Sequence, residues 1–179
     1  MLDTSSHREL VVVIVGVPRE IKVAERRVGL KPPAVRELVS NDHEVLVETG
    51  AGFGVGVADA DYEAVGARIV AEPADVFAGA DMVVKVKEPQ ANERAMLREG
   101  QVLFTYLHLA PDPEQAKDLV DSGAICIAYE TVTDHNGGLP LLNLPDQHIN
   151  AEQNIQGLET GYHTGDTIVA RNKMVRIRA

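Results

Sequence analysis

The chain of 179 residues has no tryptophan, one cysteine and no long apolar run, and each absence excludes a class of protein. Because Cys126 is alone, no internal disulfide can form, which favours a reducing compartment. No apolar stretch approaches the ~20 residues that a transmembrane helix needs. The apolar run at 10–17 follows acidic residues and precedes no small-residue cleavage site, so it does not resemble a signal peptide. We therefore expect a cytoplasmic protein with no membrane partner.

Basic residues are also scarce. The 17 Lys and Arg residues face 27 Asp and Glu residues, which gives a formal net charge of -10. A nucleic acid or an anionic membrane surface needs a basic face on its protein partner. We therefore expect no nucleic-acid partner, and any small anionic ligand must be held by a few locally placed cations.

What the chain does contain is a regular alternation of short apolar runs with polar or amphipathic segments. Strands are predicted at 10–17, 44–49, 67–70, 82–86, 101–106 and 125–130. Helices are predicted at 32–39, 59–65, 73–77, 92–98 and 113–121, the fourth of them capped by Asn92. Strands that alternate with helices in this way predict an α/β protein with a doubly wound, mostly parallel Rossmann-like sheet.

The composition divides the chain into three parts. Residues 1–9 are polar and predict a flexible extension, and residues 10–142 carry the α/β pattern. The whole net charge of -10 lies in residues 1–142. Residues 143–179 hold four Asn, against three in the first 142 positions, and their charges cancel. Such a segment, with faint periodicity, predicts an irregular, disordered tail.

Two predicted strands end in residues that can carry chemistry. Lys87 follows the run at 82–86, and His108 follows the run at 101–106. In an open parallel sheet, ligands bind beyond the carboxyl ends of the strands, so both side chains are expected at one rim. A lysine and a histidine can both be tuned towards proton transfer near neutral pH. Lys85 lies two residues before Lys87, on the same predicted face, and is the alternative for the lysine role.

Two further cations, Arg26 and Arg27, lie in the predicted loop after the first strand, at the same rim. One of them could bind a carboxylate through the planar, two-pronged geometry of its guanidinium group. We favour Arg27, partly from the family resemblance described below. An anion clamp, a cation that polarises a carbonyl and a proton donor together suit a small 2-oxo acid or 2-amino acid.

Other motifs have less specific interpretations. The glycine-rich stretch at 50–56 follows a strand, but its spacing departs from G-x-G-x-x-G, and acidic residues open the next helix. We interpret it as a flexible tight connection. The remaining histidines do not pair at metal-ligand spacing with one another or with Cys126, so no metal is expected. Cys126 is expected to be a small core residue.

Several motifs of this chain closely resemble the N-terminal part of bacterial alanine dehydrogenase, in order. They are GVPREIK at 16–22, ERRV at 25–28, HEVLVETGAG at 43–52, VKVKEP at 84–89, LREG at 97–100, LFTYLHLA at 103–110, IAYETV at 127–132 and LPLL at 139–142. The resemblance covers about residues 12–142. The related transhydrogenase subunit shares the fold but fits less well around Lys87 and His108.

This resemblance implies oxidative deamination of L-alanine to pyruvate and ammonium, with NAD as cofactor, and the reverse reaction. Carried over by position, it implies that Arg27 binds the substrate carboxylate, that Lys87 contacts the substrate and that His108 is the catalytic histidine. Family members are implied to be homo-oligomers whose active site lies in a cleft between a substrate domain and an NAD domain.

After residue 142 the resemblance ends. The family continues with a domain that carries the NAD fingerprint, and residues 143–179 do not match it. We therefore expect no NAD-binding residue in this chain, an incomplete substrate domain with exposed apolar surface, and no activity of the chain alone. The alternatives are a module that pairs with intact subunits or with a separate NAD domain, a non-functional fragment and a transhydrogenase-like fragment.

Overall fold

The β-branched runs predicted from the sequence form the strands of one sheet. The computed structural model describes residues 12–139, so the predicted extension at 1–9 and the predicted tail at 143–179 lie outside the described residues. The strands are β1 (Ile14–Val17), β2 (Glu44–Glu48), β3 (Arg68–Val70), β4 (Met82–Val84), β5 (Val102–Thr105) and β6 (Ile125–Ala128). The helices are α1 (Pro32–Ser40), α2 (Asp59–Glu63), α3 (Pro73–Gly79), α4 (Ala91–Arg94) and α5 (Pro113–Ser122). Short 3-10 turns occur at Phe53–Val55 and Tyr129–Thr131.

All strand pairs are parallel, and the strand order is β3-β2-β1-β4-β5-β6. The chain therefore moves outward from β1 in one direction and then crosses back to lay β4 on the other side of β1. This order is that of a doubly wound dinucleotide-binding fold, with its topological switch point between β1 and β4. The predicted α/β class and Rossmann-like parallel sheet are confirmed.

The alternation of side chains along the strands explains why both faces are covered. In β1, Val15 and Val17 pack into one core with α1 and α2, and Gly16 faces α3 on the opposite side. A Cβ at Gly16 would lie 2.7 Å from side-chain atoms of α3, so only glycine allows this close approach of helix and sheet. The second core, on the α3 and α5 side, includes Phe77 and Leu103. A sheet buried on both faces needs apolar residues at successive positions, as the sequence has.

Some local predictions were wrong by a few residues. The fourth helix begins at Ala91, with Gln90 rather than Asn92 at its N-cap, and ends at Arg94. Strand β4 ends at Val84, two residues before the predicted end. Within residues 12–139, no helix is long and apolar enough to cross a membrane.

Candidate functional site at the switch point of the sheet

The loops that follow β1, β4 and β5 meet where the strand order reverses. β1 and β4 are adjacent in the sheet, with Val15 opposite Met82, and β5 lies on the other side of β4. A crevice opens at such a switch point because the two neighbouring loops turn towards opposite faces of the sheet. The loop at 18–31, which we call the clamp loop because it carries Arg27, therefore lies beside the loops that carry Lys87 and His108.

The structure brings Lys87 and His108 together in one open cavity of about 800 Å³. The residues that line it are Lys22, Lys87, Glu88, His108, Leu109, Ala110, Pro111, Asp112, Gln115 and Glu130. Three basic side chains and three carboxylates thus surround a space whose size suits a small molecule. The cavity is large enough for a 2-oxo acid and open to solvent.

The backbone at Lys87 is fixed from β5. The buried hydroxyl of Thr105, the last residue of β5, donates to the Lys87 carbonyl oxygen at 2.8 Å. The phenol of Tyr129 donates to the carbonyl oxygen of Lys85 at 2.9 Å. The segment after β4 is therefore anchored at both lysines, and the half-buried Lys87 side chain reaches the cavity from a rigid base.

His108 has a less ordinary conformation. Its φ is +47°, in the left-handed region that non-glycine residues seldom adopt. Its imidazole stacks on the ring of Tyr106, with centroids 5.7 Å apart and an interplanar angle of 12°. The carboxylate of Glu130 accepts hydrogen bonds from the backbone N–H groups of Leu107 and His108. The exposed imidazole is thus positioned by the hydrogen-bonded backbone of His108 and by stacking on the Tyr106 ring.

A charged pair lies beside the imidazole. Lys22, from the clamp loop, donates a hydrogen bond to Glu88 and forms a salt bridge with it. Burial by itself would raise the pKa of Glu88, but the hydrogen bond from Lys22 and the charges of Lys22 and His108 lower that pKa below its ordinary value. Glu88 is therefore ionised at neutral pH, and it places a negative charge within electrostatic reach of the His108 imidazole.

The third predicted residue, Arg27, does not line this cavity. Its Nε and Nη2 atoms donate to the two carboxylate oxygens of Glu25, at 2.8 and 2.5 Å. Burial alone would raise the pKa of Glu25, but the hydrogen bonds from Arg27 lower it. Burial raises the pKa of the Tyr106 phenol and the charge of Arg27 opposes that rise, so Arg27 lies within electrostatic reach of the ring that stacks on His108. Since a guanidinium has five N–H donors, the pair with Glu25 leaves donors for a ligand.

Close backbone contacts hold the clamp loop in place. A Cβ at Gly29 would lie 2.4 Å from the carbonyl oxygen of Val84, and a Cβ at Gly54 would lie 2.3 Å from that of Arg26. The phenol of Tyr62 donates to the carbonyl oxygen of the buried Leu30 at 2.8 Å. The glycine-rich stretch at 50–56 is a tight connection, as predicted, with a 3-10 turn at Phe53–Val55. Its flexibility stays a prediction. Gly54 is needed because the clamp loop packs directly against it.

Lys85, the alternative for the lysine role, is excluded by its burial. Its side chain is 1% exposed, and its Nζ lies 2.7 Å from Glu93 Oε1 and 3.3 Å from Glu20 Oε2. Glu20 also accepts from the backbone N–H of Val86 at 2.6 Å. The Lys85 ammonium is thus paired with two buried carboxylates and is not available to a ligand in the cavity. The alternative assignment of the lysine role to Lys85 was therefore wrong. Lys85 instead joins the clamp loop to the end of β4.

The described residues do not fit the pyrophosphate of a dinucleotide. In the glycine-rich stretch, the N–H of Gly50 donates to Asp59 and the N–H of Ala58 donates to Asp61, both at 2.8 Å. In the loop after β1, the N–H of Arg19 donates to the buried carboxylate of Glu48, the last residue of β2, at 2.8 Å. Carboxylates thus occupy backbone donors that would have to bind phosphate, and their charge repels it.

Sequence reasoning missed the supporting residues of the site. Glu25, Thr105, Tyr106 and Glu130 were not identified from the sequence. Thr105 and Glu130 bind backbone groups of residues 18 and 22 positions away. Glu25 and Tyr106 are close in sequence to Arg27 and His108, but only the folded backbone turns the paired side chains towards each other. Within residues 12–139, no group of three His, Cys, Asp or Glu side chains is arranged to hold a metal ion. Cys126 is buried in the second core, where burial raises the pKa of its thiol to about 11.

Comparison with known proteins gives consistent matches. The family described as "Alanine dehydrogenase/PNT, N-terminal domain" matches residues 16–145. The alanine dehydrogenase of Halomonas elongata is 56% identical over 128 residues, which are 72% of this chain and 34% of the relative. A solved structure of L-alanine dehydrogenase superposes with a TM-score of 0.70 at 50% identity, over 72% of this chain and 36% of that one. A transhydrogenase structure from Sinorhizobium meliloti gives a TM-score of 0.62 at 32% identity, over 65% of this chain and 33% of that one.

The chain thus spans about a third of the length of the relatives that it matches. The family match at 16–145 includes all three predicted site residues and every strand and helix described above except the first two residues of β1.

Proposed function

Since this chain belongs to the alanine dehydrogenase/PNT N-terminal domain family, we propose that it is the substrate-binding part of an NAD-dependent L-alanine dehydrogenase. The reaction is the oxidative deamination of L-alanine to pyruvate and ammonium. The observation that carries the proposal is the meeting of Lys87 and His108 in one cavity at the switch point, with Arg27 in the adjoining loop. The higher identity to the alanine dehydrogenase structure, 50% against 32%, favours this enzyme over a transhydrogenase subunit.

The substrate carboxylate is assigned to Arg27. A guanidinium binds a carboxylate with two parallel hydrogen bonds, which fixes the orientation of the ligand as well as its position. Glu25 holds Nε and Nη2, so the clamp is oriented before any ligand arrives. A substrate carboxylate then either uses the remaining N–H groups or displaces Glu25. In both cases the C2 atom of the substrate extends towards Tyr106 and the cavity.

Lys87 and His108 act at C2. The Lys87 ammonium donates a hydrogen bond to the keto oxygen of pyruvate and draws electron density from C2. His108 moves a proton to or from the group on C2, for which an imidazole suits neutral pH. Glu88 lies within electrostatic reach of His108, so a carboxylate stands beside the group that moves the proton. NAD, the hydride acceptor that the resemblance implies, has no fitting site among residues 12–139.

A second candidate function is assembly with other subunits. Among residues 12–139, Val23 and Phe53 are large apolar side chains that are 94% and 85% exposed. Val23 lies in the clamp loop, and Phe53 is next to Gly54, on which that loop packs. Both residues thus flank the contact between the clamp loop and the glycine-rich stretch, and an exposed apolar patch there would mark a surface that another polypeptide covers. The homo-oligomer and the separate NAD domain implied by the resemblance remain predictions.

The carboxylate assignment is tested by pyruvate titration of the 179-residue chain, followed by NMR. We expect Arg27→Met to weaken pyruvate binding about 10- to 100-fold, because hydrogen bonds to a charged group contribute about 1.5–3 kcal/mol. Arg27→Lys should weaken it nearly as much, since an ammonium cannot bind two oxygens in parallel. The matched control is Arg26→Met, which removes an adjacent exposed cation. Equal affinities for Arg27→Met and Arg26→Met would remove Arg27 from the site.

An activity assay on the same chain tests whether it binds substrate but needs a separate NAD domain for catalysis. We expect pyruvate binding without formation of NADH from alanine and NAD, because the described residues do not accommodate a dinucleotide. The assay follows NADH absorbance, and an intact alanine dehydrogenase serves as the positive control. Alanine-dependent NADH formation by the 179-residue chain would refute the claim of inactivity.

A further inference from the structure

The carboxylate of Glu130 holds the backbone on which His108 is mounted. Glu130 lies in the 3-10 turn that follows β6, and its Oε1 accepts from the N–H of His108 at 2.8 Å and from that of Leu107 at 3.0 Å. Its Oε2 adds a weaker contact of 3.2 Å with the Leu107 N–H. Within residues 12–139, the hydrogen bonds of Glu130 all come from these backbone donors and none from the imidazole ring.

These bonds fall at the strained position of the site. A histidine at φ +47° persists only where its surroundings over-determine the conformation. Two more contacts contribute to that constraint. The buried Gln115 side chain donates to the Leu107 carbonyl oxygen, and the Tyr106 ring stacks on the imidazole. The backbone before His108 is thus held on its N–H side by Glu130 and on its carbonyl side by Gln115.

We propose that Glu130 is the positioning residue for His108, with Oε1 fixing the left-handed backbone that directs the imidazole into the cavity beside Lys87. The inference rests on the proposed function in one respect, since it takes His108 to act on a bound 2-oxo or 2-amino acid. Without the acceptor, residues 107 and 108 relax towards an ordinary φ, and the ring turns away from the position at which Lys87 holds the substrate.

Positioning by an acceptor can be separated from an effect of charge. Both short hydrogen bonds end on the same oxygen, Oε1, so the amide oxygen of a glutamine can accept both of them. Glu130→Gln therefore keeps the side-chain length and the acceptor oxygen but removes the negative charge. Glu130→Asp keeps the charge but is one carbon–carbon bond shorter, about 1.5 Å, and its carboxylate cannot reach both donors.

The experiment uses the isotope-labelled 179-residue chain and pyruvate as the probe. Two signals are recorded by NMR: the change in the His108 ring resonances on adding pyruvate, and the hydrogen exchange rate of the His108 amide. We expect Glu130→Gln to keep the ring response and to hold the exchange rate within about threefold of the original chain. We expect Glu130→Asp to lose the ring response and to exchange at least about tenfold faster, because exchange reports the opening of that hydrogen bond. Glu114→Asp, at an exposed position in the first turn of α5, is the matched control and should change neither signal.

The opposite pattern, with the aspartate variant unchanged and the glutamine variant altered, would show a role for charge and overturn the proposal. Unchanged signals in both variants would overturn it as well. If Glu130→Asp does not fold, loss of the ring response in a folded Glu130→Gln chain still overturns it. If the original chain itself gives no response to pyruvate, the proposed function fails, and the His108 amide exchange in the two variants still decides whether Glu130 fixes the backbone.

Discussion

Replacing Lys85 with methionine is expected to lower the free energy of unfolding by about 3–5 kcal/mol, the usual cost of removing one partner of a buried ion pair. The expected fall in melting temperature is roughly 6–20 °C. The reason is local: Lys85 is 1% exposed and lies between Glu20 and Glu93, whose side chains are 2% and 3% exposed. Methionine fills the volume but leaves the two carboxylates facing each other. Chemical denaturation measures the loss.

The pH dependence of this loss follows from Glu20. Burial raises the pKa of Glu20 above its ordinary value, although the charge of Lys85 lowers it. Without Lys85 the raised pKa rises further, so the folded variant binds a proton more tightly than its unfolded chain does. For such a group, stability is retained at low pH and lost as pH rises through the folded-state pKa. The deficit of Lys85→Met against the original chain should therefore shrink as pH falls from 8 towards 5.

The matched control is Lys117→Met on α5. Lys117 also forms a salt bridge with a carboxylate, Asp121, but the two side chains are 73% and 59% exposed. Exposed pairs of this kind contribute little to stability, because water screens the two charges, so we expect a much smaller loss than for Lys85→Met. Equal unfolding curves for Lys85→Met and Lys117→Met would contradict the buried ion cluster.

Gly29→Ala is expected to impair both the fold and the site. The added Cβ would lie 2.4 Å from the Val84 carbonyl oxygen and 3.3 Å from the Lys85 Cα. Both are backbone atoms, so the clamp loop and the end of β4 must separate. Overpacking of this kind costs about 1–3 kcal/mol. Because the clamp loop carries Arg27 and the chain after β4 carries Lys87, we also expect pyruvate affinity to fall by about tenfold or more, as in the loss of one charged hydrogen bond.

Gly79→Ala provides the control for the added methyl group. A Cβ there would lie 2.8 Å from Leu46 Cδ1, the far end of a side chain that can rotate. Gly79 ends α3, which leads into the start of β4 and so lies at the opposite edge of the sheet from the site. Its substitution should leave pyruvate binding unchanged. If Gly29→Ala binds pyruvate as tightly as Gly79→Ala does, the clamp loop is not placed by its contact with β4.

The candidate site was only partly predictable from sequence. Lys87 and His108 were identified because each follows an apolar strand, and the ends of parallel strands meet at one rim. Arg27 could be placed in the correct loop for the same reason. Lys85 and Lys87 could not be told apart by their spacing, because residues two apart in a strand share a face. The structure distinguishes them through Glu20 and Glu93, which bind the Lys85 ammonium. Glu20 is 65 residues from Lys85 in sequence, and Glu93 is eight residues away on the next helix, so both contacts form only in the folded chain.

The sequence by itself determined the α/β class and the order of strands and helices, because apolar periodicity and proline or glycine stops are local signals. It also determined the family, through motifs that extend along most of residues 12–142. Only the tertiary structure decided the strand order with its switch point, the burial of Lys85, the pairing of Arg27 with Glu25 and the hold of Glu130 on His108. Each of these depends on contacts between distant segments or on backbone conformation, and neither composition nor spacing encodes which carboxylate will meet which donor.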